Sequence, residues 1–101
     1  MEKQILFTSE QNNPRNNTYL FNEWFEFNGK KFCYHIDIRN GWNTANQSIE
    51  IMRPDGTWAL LTTANTIGCA EPNDYLSPQK WVGMRQRLVA NFDDWITKIY
   101  G

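Results

Sequence analysis

The chain has 101 residues, 41% hydrophobic and 15% aromatic, with 10 basic against 11 acidic side chains and a net charge of −1. That length makes one domain, and the near-neutral balance excludes both a strongly basic nucleic-acid packager and an acidic nucleic-acid mimic. No apolar run approaches the ~20 residues of a membrane span, no apolar signal segment opens the chain, and Cys33 and Cys69 make neither a disulfide framework nor a metal-ligand spacing, so the expectation is a reduced, cytoplasmic protein without cofactor or metal.

In chain order, KQILFT (3–8) reads as a possible short strand. QNNPRNN (11–17) is polar, contains Pro and has no apolar anchor, which predicts a mobile loop. Residues 1–17 thus form an N-terminal segment ahead of a single domain over 18–101. TYLFNEWFEF (18–27) and KKFCYHIDIR (30–39) flank Asn28-Gly29, a pair suited to the positive φ angles of a type I′ turn. The two-residue loop sets the register. Glu26 faces Lys31, Phe25 faces Phe32, Trp24 faces Cys33, Glu23 faces Tyr34 and Phe21 faces Ile36. One face then collects Tyr19, Phe21, Phe25, Phe32, Tyr34, Ile36 and Ile38, and the other Asn22, Glu26, Lys31, His35, Asp37 and Arg39.

SIEIMR (48–53) and TWALLTTA (57–64) flank Pro54-Asp55-Gly56 and read as a second hairpin. TIGCAEPNDYL (66–76) has no period and reads as a loop. Ser77 and Pro78 suit the N-cap and first position of a helix. Trp81, Met84, Leu88, Phe92, Trp95, Ile96 and Ile99 then recur at spacings of three and four. The predicted architecture is α+β: a four-stranded antiparallel sheet of two hairpins, then one long C-terminal amphipathic helix laid on the aromatic face.

Cys33, His35, Asp37 and Arg39 invite a catalytic reading. Same-face neighbours on a strand stand parallel, about 6.5–7 Å apart, and do not converge. A solvated strand face is therefore expected, with no catalytic residue. Glu23 interrupts the aromatic face, and Arg85 beside the helix stripe is its expected partner. Lys30, Lys31, Arg39 and Arg53 belong to strands or their turns, with Phe27 and Trp42 near strand ends. Cations interleaved with rings on a sheet are the pattern of sequence-tolerant single-strand binders, in which cations track phosphates and rings stack on bases.

IDIRNGW (36–42) resembles the second-strand signature of the transcriptional positive cofactor four family, single-stranded DNA binders with a whirly-type fold. LSPQKWVGMRQRLVANFDDWITKI (76–99) resembles that family's C-terminal helix, sharing Leu, a small cap, Pro, a Trp three residues later and an Asp-Asp pair near the end. The resemblance implies a ββββα fold, a homodimer, and single-stranded DNA or RNA held on the sheets in transcription or replication. It implies Trp42 as a base-stacking ring with Arg39 beside it, and, through FNGK (27–30), Phe27 as a second ring and Lys30 as a phosphate contact. The chain departs from the family in two places. Three extra residues separate Lys30 from IDIR, and TTANTIGCAEPNDY (62–75) holds no cation where the family has a Lys/Arg/Gly-rich segment. The alternative is a small protein-binding module, of phage-inhibitor or immunity type, using the same aromatics. The face of Trp42 stays open: a regular strand puts it with Ile36 and Ile38, and a bulge at Asn40-Gly41 puts it on the other side.

Overall fold

A computed structural model describes residues 1–101, apart from the side chains of 44–46. Five strands, β1 (Gln4–Asn13), β2 (Thr18–Phe27), β3 (Lys30–Arg39), β4 (Trp42–Met52) and β5 (Trp58–Thr63), precede one helix, α1 (Pro78–Tyr100). The strands form a single antiparallel meander in the order β1-β2-β3-β4-β5. The α+β class and the closing helix follow the sequence reading. The strand count does not.

The fifth strand comes from the N-terminus. β1 pairs with β2 from Gln4–Glu26 to Asn13–Thr18, with a one-residue register step at Leu6 between Ile5–Phe25 and Phe7–Trp24. The polar stretch 11–17 is therefore not a loop throughout: its first half closes β1, and Pro14–Asn16 form a 3₁₀ turn ended by Asn17 at φ 51°. Polarity misleads here because β1 is an edge strand with almost every side chain exposed, so its pattern carries no burial signal.

The hairpin register of β2 and β3 is the one Asn28-Gly29 dictates, with both residues at positive φ. A second Asn-Gly pair does the same work. Asn40 (φ 55°) and Gly41 (φ 76°) turn the chain directly from β3 into β4, pairing Arg39 with Trp42. β4 thus begins at Trp42 rather than Ser48. Its register steps between Ile38–Asn43 and Ile36–Gln47, an even slip that leaves the two faces unmixed.

The aromatic face of β2 and β3 and the stripe of α1 make the core. Tyr19, Phe25, Phe32, Tyr34, Ile36, Ile38, Ile49, Trp81, Met84, Leu88, Phe92 and Ile96 are wholly buried. Ile99 is exposed and Trp95 half-buried, so the stripe narrows towards the helix end. Pro78 sits in the first turn, as its fixed φ favours. Ser77 occupies the cap position without a side-chain hydrogen bond, and the indole of Trp81 instead donates to the Leu76 carbonyl at 3.0 Å.

Polar groups inside the core have partners. Asn43 and Gln47 hydrogen-bond to each other, and Asn43 Nδ2 donates to the carbonyls of Glu71 (3.0 Å) and Pro72 (3.1 Å), tying down the 66–76 loop. Glu23 does not pair with Arg85. Lys3 Nζ lies 2.7 Å from Glu23 Oε2, an ion pair whose angle falls outside hydrogen-bond geometry, and it donates to Asp93 Oδ1 at 2.8 Å. Tyr34 donates to the same Asp93 oxygen at 2.7 Å. Arg85 is drawn elsewhere, over the Phe21 ring and towards Tyr19 and Glu10.

Candidate binding face

α1 covers one face of the sheet and leaves the other uncovered. Alternation along each strand assigns the open face. β2 contributes Leu20, Asn22, Trp24 and Glu26, and β3 contributes Lys31, Cys33, His35, Asp37 and Arg39. β4 adds Trp42, Glu50 and Met52, and β5 adds Trp58 and Leu60 through their pairing with Met52 and Glu50. Phe7 of β1 joins Trp24, with ring centroids 5.4 Å apart. Three of the five tryptophans thus lie away from the helix.

Trp42 shares the face of Arg39 because the Asn40-Gly41 turn pairs the two residues. Neither a regular continuation of β3 nor a bulge describes it. The indole is 51% exposed and meets Tyr75 edge-on, with centroids 5.7 Å apart at 77°. Tyr75 forms an isolated bridge with Trp42, packs its ring over Gly41, and donates its hydroxyl to Asn17 Oδ1 at 3.3 Å. Gly41 is required twice, by its positive φ and by the ring that occupies the place of a Cβ.

The six residues singled out from the sequence fall into two groups at opposite ends of β3. Nine strand steps of about 3.3 Å separate them by roughly 30 Å. At one end, Arg39 lies beside Trp42. Its Nε donates to the buried Asp37 at 2.8 Å, a bond that raises the guanidinium pKa further and leaves its Nη donors on the exposed side. At the other end, Lys30, Lys31 and Arg53 meet between the β2–β3 and β4–β5 turns. Among the described residues these three form no salt bridge. Phe27 pairs with Lys30 on the helix side, packs against the core, and stands apart from the open face. Glu26 and Glu50 are also on that face, so phosphate contacts are confined to its two ends.

The Cys33–His35–Asp37–Arg39 series has other employments. Cys33 is buried, and desolvation pushes its thiol up to about 12, so no thiolate forms near neutral pH. His35 Nδ1 is hydrogen-bonded with Asn22 Oδ1 at 2.7 Å. Among the described residues no group of three His, Cys, Asp or Glu is placed to hold a metal ion, and no helix is long and apolar enough to cross a membrane.

Sequence reasoning left out Phe7, Trp24, Trp58 and Tyr75. The pairing of Trp24 with Cys33 already put that ring opposite the core. Tyr75 had no local signal, because only the closure of the 66–76 loop onto Gly41 brings it to Trp42. Set against known proteins, the chain matches no family model, no curated protein and no solved structure.

Proposed function

We propose that the open sheet face binds a single strand of nucleic acid without catalysis. The observation that carries this reading is the uncovered face itself, with Trp42, Phe7 and Tyr75 exposed, Trp24 and Trp58 half-buried beside them, and Arg39 and Lys31 at its two ends. Stacked bases gain about 1–3 kcal/mol each on such rings, and a span of roughly 30 Å suits one module of the ~4–16-nucleotide class. Confinement of cations to the ends predicts modest affinity and a shallow salt dependence. The resemblance of IDIRNGW and the helix to the transcriptional positive cofactor four family, with its whirly-type fold, supports a transcription or replication accessory role. The test is fluorescence titration with oligo(dT) at ~20 mM salt, where screening is weak. Tryptophan quenching that Trp42→Ala reduces supports the proposal, and no binding refutes it.

The protein acts in this reading as a homodimer. β1 is a ten-residue edge strand that exposes Ile5, Leu6 and Phe7 and carries no charge from Gln4 to Ser9. Apart from the register step at Leu6, this uncharged edge has nothing to deter pairing and is a template for another strand, and a second copy laid antiparallel continues both sheets. The second reading is a protein-binding module that gives the same edge to a different chain. Sedimentation equilibrium separates them: a dimer that Leu6→Lys converts to monomer supports self-pairing, and a monomer at all concentrations favours the module.

A further inference from the structure

The cationic end of the sheet is a shallow, open pocket. It is an open cavity of about 530 Å³ between the two turns, within the range of small-molecule sites. Ile51, Met52 and Pro54 give it an apolar wall, and Lys30, Lys31 and Arg53 give it charge. Among the described residues no carboxylate lines it. Asp55, in the adjoining turn, is engaged by Thr57, whose backbone N–H and hydroxyl donate to it at 3.0 and 2.6 Å. Glu26 faces Lys31 across the strand pair without a salt bridge between them. Arg53 uses one guanidinium nitrogen on Thr57 Oγ1 at 3.3 Å, which leaves its remaining donors uncommitted.

Three cations on one point exceed what a backbone phosphodiester, with its single negative charge, calls for. A phosphate monoester carries about −1.5 to −2 at neutral pH and three strong acceptor oxygens. The apolar wall suits the sugar or base of the nucleotide that bears it. The pocket wraps the rim: Lys31 and Met52 belong to the open face, and Lys30 and Ile51, the partners of Phe27 and Phe32, to the helix side, so a strand running along the open face from Trp42 turns over the rim to reach it. We infer that Lys30, Lys31 and Arg53 hold the terminal phosphate of a bound strand, with its last nucleotide against Ile51, Met52 and Pro54. This rests on the single-strand reading above. The same chemistry comes from two sources, a strand end or a free mononucleotide.

The experiment is competition against a labelled oligo(dT) by unlabelled oligo(dT) carrying a 5′-phosphate, a 3′-phosphate or hydroxyls at both ends. Thymidine monophosphate and thymidine are titrated directly by calorimetry as separate arms, which need no bound oligonucleotide. One phosphorylated end is expected to bind at least ~10-fold tighter than the hydroxyl form, since three cations face its extra charge. Arg53→Ala and the double variant Lys30→Ala/Lys31→Ala, both checked for native melting, are expected to erase that preference. Equal binding of all three oligonucleotides overturns the pocket and leaves the open-face reading standing. Binding of thymidine monophosphate but not thymidine, with no oligonucleotide binding, supports the pocket and overturns the open-face reading. No binding in any arm overturns both.

Discussion

Lys3 is the residue whose loss the fold should feel most for its size. Its ammonium reaches between Glu23 and Asp93, at 2.7 and 2.8 Å, and stands 5.2 and 5.0 Å from the ring centroids of Phe25 and Tyr34. The Glu23 and Lys3 side chains are only 9% and 13% exposed, and Asp93 is 25% exposed. Lys3→Met keeps the apolar stem and removes the charge. Stranding one partner of a buried pair costs about 3–5 kcal/mol, and the rim position argues for the low end, about 3. For a domain of this size that is a fall in Tm of roughly 12–24 °C. The assay is urea and thermal unfolding of Lys3→Met, Glu23→Gln and the double variant. Neutralising Glu23 in the Lys3→Met background is expected to restore about 2 kcal/mol, because the orphaned carboxylate is gone. A Lys3→Met loss under ~1 kcal/mol, or two additive single losses, would refute the assignment of Lys3 as the charge that balances Glu23.

Other outcomes follow from the same structure. Gly41→Ala is expected to destabilise by at least about 1–2 kcal/mol, because it strains a positive φ and collides with Tyr75; a smaller loss in urea unfolding contradicts the Tyr75 packing. Burial, above all, raises the Cys33 thiol from 9 to about 12 and the Tyr19 phenol from 10 to about 12, and raises Tyr34 as well. The unfolded chain therefore loses these protons first, so stability present below pH 9 is lost as pH rises through 12; unfolding midpoints measured from pH 8 to 11 should fall steadily. Cys33 should stay silent to a thiol reagent at pH 8 until the protein unfolds. Trp81→Ala is expected to cost about 3–5 kcal/mol by leaving a core cavity, whereas Trp42→Ala, at an exposed ring, should change stability by under ~1 kcal/mol.

Much of the fold is legible because neighbouring residues decide it. Asn28-Gly29 sets one hairpin, Pro54-Asp55-Gly56 sets another, and the Trp81-to-Ile96 spacing sets the helix. Asn40-Gly41 carried the same hairpin signal as Asn28-Gly29. It was masked by the regular alternation of HIDIR before it and by the polar stretch 43–47, whose Asn43 and Gln47 are buried through hydrogen bonds rather than apolarity. β1 was half visible, since an edge strand with both faces wet has no period to read. The Glu23 partner was illegible for another reason: a contact between Lys3 and a residue twenty positions on is fixed by sheet pairing, and Arg85 is equally plausible from helix spacing alone. Of the candidate site, residue types were readable and their grouping was not. Phe27 belongs to the helix side, and Lys30, Lys31 and Arg53 converge only because two turns end side by side.

The most direct test of the open face uses the five indole N–H signals in a ¹H–¹⁵N spectrum, assigned by single Trp→Phe variants and followed during titration with unlabelled oligo(dT). The signals of Trp24, Trp42 and Trp58 are predicted to move with a common affinity, while the α1 tryptophans, Trp81 on its buried face and half-buried Trp95, stay in place. Shifts confined to Trp81 and Trp95, or no shift at all at ~20 mM salt, would contradict the claim that this sheet face binds a single strand.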